Sequence, residues 1–218
     1  MAEPEIIYQE GSIVLVGSFN PEIFHPSWFA KNDLIQKVEA EESKIEGLEI
    51  VHRELTKFSL NWLSIQVVHQ KFVALTSDVA HFNPLRDLVI MTFEILKHTP
   101  VKQLGMNRIV DFSFEDEQAW HKVGDTLAPK GIWEKSLSGR VGLTALGVQS
   151  KLTNGLQGYT NVNLQPSART KHGVTININN HVEIADGQNI AAILSEHWVT
   201  SMDKAIKIAQ TTLREVLT

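Results

Sequence analysis

The sequence predicts an α+β protein in which one unit, β–α–β–β–β–α, is laid out twice along 218 residues. Three observations carry that expectation. Short runs rich in β-formers arrive in groups joined by tight turns, which favours antiparallel pairing over the long crossovers of a parallel sheet. Two strongly apolar helical stripes close the two groups, near residues 85–96 and 194–216. No Pro/Gly/Ser-rich linker lies between the halves, about 1–99 and 100–218, so 1–218 is expected to form a single compact domain with helices on one face of a mainly antiparallel sheet.

In the first half, Ser12-Ile13-Val14-Leu15-Val16-Gly17 is an apolar run of the kind that forms a buried strand. Ser18-Phe19-Asn20-Pro21 turns the chain, and Pro26 suits the first turn of a helix along which Trp28, Phe29, Leu34, Ile35 and Val38 recur at helical spacing. His25, just before that proline, reads as a packed or capping side chain. The charged run Glu39-Ala40-Glu41-Glu42-Ser43-Lys44 reads as a solvated face. Strands are expected within 48–57, 58–68 and 71–76, the last two about a turn at His69-Gln70. Asn83-Pro84 then predicts an N-cap with proline at the first helical position. The helix it opens is apolar over most of its circumference and should lie buried between layers.

The pattern restarts with a strand within 104–114. A partly helical segment with Trp120 and Trp133 follows, interrupted by Pro129-Lys130-Gly131. Strands are expected at 140–152, 159–168 and 173–184, with turns at Thr153-Asn154-Gly155 and Lys171-His172-Gly173. Asn189 is placed to cap a last helix with Leu194, Trp198, Met202, Ala205, Ala209, Leu213 and Val216 on its stripe.

Composition closes off several kinds of chemistry. The chain has no cysteine, which excludes disulfides, thiolate metal centres and cysteine nucleophiles. Its start, Met1-Ala2-Glu3-Pro4-Glu5, is acidic and unlike a signal peptide, and no apolar run approaches the roughly 20 residues that span a bilayer. A cytoplasmic setting without membrane partners is therefore expected. A net charge of −5 argues against broad, non-specific nucleic-acid binding. His172 and His181, nine residues apart, would stand about 30 Å apart along an extended strand, and no HExxH pattern occurs, so no metal or other cofactor is expected. There is no GxSxG elbow and no SxxK pair. Glu115-Asp116-Glu117 reads as helix-start acids, and the glycines around 139–142 and 155–158 lack the context of a phosphate loop.

The most distinctive composition is the amide content of the last hairpin. Asn161, Asn163 and Gln165 alternate with Val162 and Leu164, and Thr175, Asn177 and Asn179 alternate with Val174, Ile176 and Ile178. Period-two alternation puts each polar set on one face of its strand. Paired in register, the strands would form a patch of amides flanked by Arg169, Lys171 and His172, fit for a peptide, a nucleic-acid backbone or a second copy of the chain. The wet face of a half-exposed sheet is the plainer account of the same pattern.

Val16-Gly17-Ser18-Phe19-Asn20-Pro21 with Pro26-Ser27-Trp28-Phe29, then His98-Thr99-Pro100-Val101-Lys102-Gln103-Leu104-Gly105-Met106-Asn107, then Pro166-Ser167 and Gly173-Val174-Thr175-Ile176-Asn177-Ile178-Asn179 form a set of stretches. Together they resemble a family of uncharacterised bacterial proteins of unknown function, over most of the chain. That resemblance implies a bacterial cytoplasmic setting and brings no activity with it.

The function expected is that of a non-enzymatic interaction or assembly module, acting as a homo-oligomer or with a protein partner in a larger complex. The alternative is nucleic-acid binding through the second-half sheet face, using Lys151, Arg169, Lys171 and His172 with Tyr159 as a stacking residue. A third reading is an enzyme whose cleft is assembled from both halves and leaves no linear motif.

Overall fold

A computed structural model describes residues 3–45 and 49–218. Strand β1 (Glu5–Gly17) leads through the short helices α1 (Pro26–Lys31) and α2 (Lys37–Ile45) to a meander of β2 (Glu49–Val51), β3 (Leu55–Ser59), β4 (Ser64–Val68) and β5 (Lys71–Thr76), closed by α3 (Phe82–Ile95). The second half runs β6 (Val101–Ser113), α4 (Glu117–Leu127), β7 (Leu146–Lys151), β8 (Gly158–Pro166), β9 (Gly173–Glu183) and α5 (Ile190–Leu217). Among the described residues, nine strands join one antiparallel sheet in the order β2-β3-β4-β5-β1-β6-β9-β8-β7. The expected α+β class holds.

The two 13-residue strands β1 and β6 pair along their whole lengths at the centre, from Glu5 opposite Ser113 to Gly17 opposite Val101. Each meander folds outward from its central strand, so β5 lies against β1 and β9 against β6. The β–α–β–β–β–α order describes the second half. The first half differs by a second helix before its meander and by the additional edge strand β2, which pairs with β3.

Burial alternates along the strands because one face is covered and the other is not. Ile13, Leu15, Ile65, Val67, Phe72, Leu104, Val110, Ile176 and Ile178 are fully buried on the covered face. Helix α3 lies beneath β1 and β5, and the 28-residue α5 beneath β6 and β9. Two hydrophobic clusters result. Under the first half, Phe19, Phe24, Phe29, Phe58, Phe72 and Phe93 interlock, with Phe72 and Phe93 edge-to-face at 5.2 Å between ring centroids. Under the second half, Val110, Phe112, Leu164, Val174, Ile176 and Ile178 meet the stripe of α5.

Arg108 lies on the covered face, 7% exposed. Its guanidinium donates to the Met202 carbonyl and to Gln9 Oε1, and it stands 5.2 Å from the centroid of the Phe82 ring. Burial pulls its pKa below the usual arginine range, with the charge of Asp203 acting in the opposite sense. The residue opposite Arg108 on β1 is Gly11. A Cβ there would stand 2.9 Å from the Phe82 ring, so the bare backbone is what lets that ring lie under the arginine.

Caps explain most helix starts. His25 Nδ1 accepts from the Ser27 amide, Asp116 from Gln118, and Asn189 from Ala191. The expected cap at Asn83 is corrected. Asp78 accepts from the Ala80 amide and starts a 3-10 turn that runs directly into α3, so Asn83 already lies inside the helix. The expected strand at 140–152 is also shorter. Only Leu146–Lys151 pairs with β8, while Gly139 has φ +114 and Leu143 lies beside Gly124 of α4.

Candidate functional site

The uncovered face of the sheet is built by register. Antiparallel pairing sets directly opposed residues on the same face. Asn161 opposes Asn179, Asn163 opposes Asn177, and Gln165 opposes Thr175. Those six residues therefore form one patch. Pairing extends it to strands that the local pattern does not reach: Asn179 opposes Asn107, Asn107 opposes Ser12, and Asn161 opposes Gln149. One transverse row of polar side chains, Ser12-Asn107-Asn179-Asn161-Gln149, thus crosses five strands.

Hydrogen bonds stitch the ends of this ladder. Asn107 Nδ2 donates to Ser12 Oγ at 3.2 Å, and Gln149 Nε2 donates to Asn161 Oδ1 at 3.0 Å. The middle differs. The Asn177 and Asn179 Oδ1 atoms are both buried and accept no hydrogen bond. Neighbouring side chains shield these oxygens from water without donating to them, a costly condition for a carbonyl. Toward β5 the same face turns apolar, with half-buried Val14, Val73 and Leu75, and Ile109 of β6 lies between Glu10 and Asn177.

The flanking residues divide. Arg169 reaches this face, pairing through Nε with Asp111 Oδ2 at 2.7 Å and lying 3.6 Å from the centroid of the Tyr8 ring. Thr175 donates to the other oxygen of Asp111. Lys171 is exposed in the β8–β9 turn. His172 packs on Trp120 of α4, with Nε2 4.0 Å from Glu117, and so belongs to the helix side. At the opposite end of β9, Tyr159 stacks on His181 at 4.5 Å, and Lys151 opposes Tyr159. The basic and aromatic groups of the nucleic-acid reading are thus split between the two ends of a strand, about 30 Å apart. Arg169 is moreover already neutralised by Asp111.

Two ionisable groups on this face are displaced from their usual ranges. The Glu183 carboxyl is held low, first by its hydrogen bond with His181 and also by one from Gln103. Burial pushes the Tyr8 phenol up to about 12, aided by donation from its hydroxyl to Glu10. A folded-state pKa above the unfolded value of about 10 means that Tyr8 supports the fold below pH ~10 and that its contribution fades as pH rises through about 12. Since the ring is partly solvated, that loss should be only on the order of 1 kcal/mol. The chain has two tyrosines, so Tyr159→Phe isolates Tyr8. Its absorbance titration at the tyrosinate band should then have a midpoint near 12 in the folded protein and about 10 in urea. A midpoint near 10 in both would contradict the burial and hydrogen bonding described.

Among the described residues, no group of three His, Asp or Glu side chains is placed to hold a metal ion. No helix among them is long and apolar enough to cross a membrane. Sequence alternation pointed to the two central strands of the patch. Ser12, Asn107, Gln149 and Asp111 were outside its reach, since only long-range register brings them there. No protein-family model and no curated protein matches this chain.

Proposed function

We propose that this protein is a non-enzymatic assembly module of the bacterial cytoplasm that self-associates through the uncovered sheet face. The observation that carries the reading is the amide ladder itself, set beside an apolar strip on the uncovered face. A two-fold interface needs a surface complementary to its own copy. Carboxamides meet that need, because each both donates and accepts, and the ladder contains no charged side chain to repel its twin.

Size agrees. Nine strands span about 43 Å, and at an average of about eight residues, roughly 26 Å, the face covers about 1,100 Å². That is more than the roughly 800 Å² each partner contributes to a standard interface, so the face is large enough to form one. Two twisted sheets packing face to face at about 10 Å would bury Val14, Val73, Leu75 and Ile109 and set the exposed amides of the two copies against each other.

The absence of cysteine makes the test clean. Asn163→Cys places a single thiol on the exposed part of the patch, and Glu94→Cys places one on α3, on the far side of the sheet. Raising the protein concentration should slow maleimide labelling at position 163 by at least about tenfold, with position 94 unaffected. Equal labelling of both positions at every concentration would contradict self-association through this face.

A further inference from the structure

On the covered side, near the β7 edge, a cleft of about 390 Å³ lies between α4 and residues 140–143. That volume is in the range of small-molecule sites. Its apolar wall comes from Val123, Val141, Leu143, Leu164 and Val174, and its polar rim includes Glu117, His121 and Arg140. The charged groups along the rim differ in their partners. Glu117 lies 3.6 Å from His121 Nε2 and 4.0 Å from His172 Nε2. Asp125 is paired with Lys130.

Arg140 has a different kind of partner, its Nη2 lying 3.2 Å from His121 Nε2. A guanidinium only donates and keeps its charge, so a neighbouring imidazole does not neutralise it as a carboxylate would. Among the described residues no ion pair joins Arg140 to a carboxylate, and its side-chain hydrogen bond is the contact with His121. A planar cation beside an apolar wall is complementary to a molecule with an anionic head and a hydrophobic body, since the guanidinium fork matches a carboxylate bidentately.

We infer that this cleft binds a small organic carboxylate with an apolar body, the carboxylate held by Arg140 and the body packed against Val123, Leu143 and Leu164. The site is separate from the uncovered sheet face and does not depend on self-association.

Three probes with one body and different heads test it by titration calorimetry: 4-phenylbutyrate, 4-phenyl-1-butanol and 4-phenylbutylamine. The acid should bind saturably, one per chain, and about 10- to 100-fold more tightly than the alcohol. Arg140→Gln should reduce the acid to the affinity of the alcohol and leave the alcohol unchanged. Arg214→Gln, at a second apolar cleft formed with Ile6, Phe112 and Leu213, should leave all three unchanged. Val141→Asp, which sets a carboxylate in the wall, should reject the acid and retain the amine. The inference is overturned if the acid shows no saturable binding, if acid and alcohol bind equally, or if Arg140→Gln leaves acid binding intact in protein that unfolds at the wild-type temperature.

Discussion

Phe72→Ala is expected to lower the free energy of unfolding by about 3–5 kcal/mol, the usual cost of deleting a fully buried aromatic side chain. Phe72 is inaccessible to solvent and lies on β5, opposite Leu15 of the central strand β1 and Val67 of β4. Its ring centroid is 5.4 Å from that of Phe24, 5.2 Å from Phe93 and 6.3 Å from Phe19. It therefore joins the sheet both to α3 and to the loop that leads into α1. Because the surrounding rings are themselves held by strands and a helix, they cannot collapse into the space, and the cavity term adds to the lost transfer energy. Proteins of this size are stable by about 5–15 kcal/mol, so the loss is a large share of the total. Urea unfolding should show a lower midpoint with little change in slope. A destabilisation under about 1 kcal/mol would mean that the aromatic cluster is not packed as described.

Gly158→Ala is expected to cost about 2–4 kcal/mol and to loosen the patch before the rest of the fold. Gly158 opens β8 opposite Val182 with φ +152, a conformation that side chains rarely adopt. A Cβ there would lie 2.0 Å from the His181 carbonyl oxygen, and that is backbone, which cannot rotate away. Relief requires β8 to move off β9 at the Tyr159–His181 stack, from which the Asn161–Asn179 and Asn163–Asn177 pairs follow in register. Amide exchange within β8 should accelerate by about 10-fold or more, well beyond any change in β1 or β5. Uniform acceleration through the sheet would contradict a local role for this glycine.

Local patterns read well wherever burial is local. The apolar runs near Val14 and Val67, the stripe of α5, and the alternation in β8 and β9 all follow from one face meeting a core, whereas α3, expected between layers, is covered on part of its surface only and exposes Met91 and Ile95. What escaped the sequence was non-local or aperiodic. Strand β1 begins at Glu5, seven residues before its apolar run, because its first part is held by pairing with β6. The residues at 140–145 alternate like a strand, yet Val141 and Leu143 line the cleft beside α4. Arg169 and His172, three positions apart in one turn, go to opposite sides of the sheet, an outcome no period encodes. Asn107 is the one asparagine in its own strand and becomes central only through its neighbours Ser12 and Asn179.

Sedimentation equilibrium of the wild-type chain and of an Asn163→Lys, Gln149→Lys double variant tests the sheet-face dimer most directly. Both positions are exposed, so the variant should fold, while its added like charges would face their own copies across a two-fold interface. The wild type should sediment as a dimer at micromolar concentrations, and the variant as a monomer with unchanged thermal stability of the subunit fold. A wild type that remains monomeric up to roughly 100 μM, or a variant that dimerises as tightly as the wild type, would contradict the assignment of the uncovered face as the assembly surface.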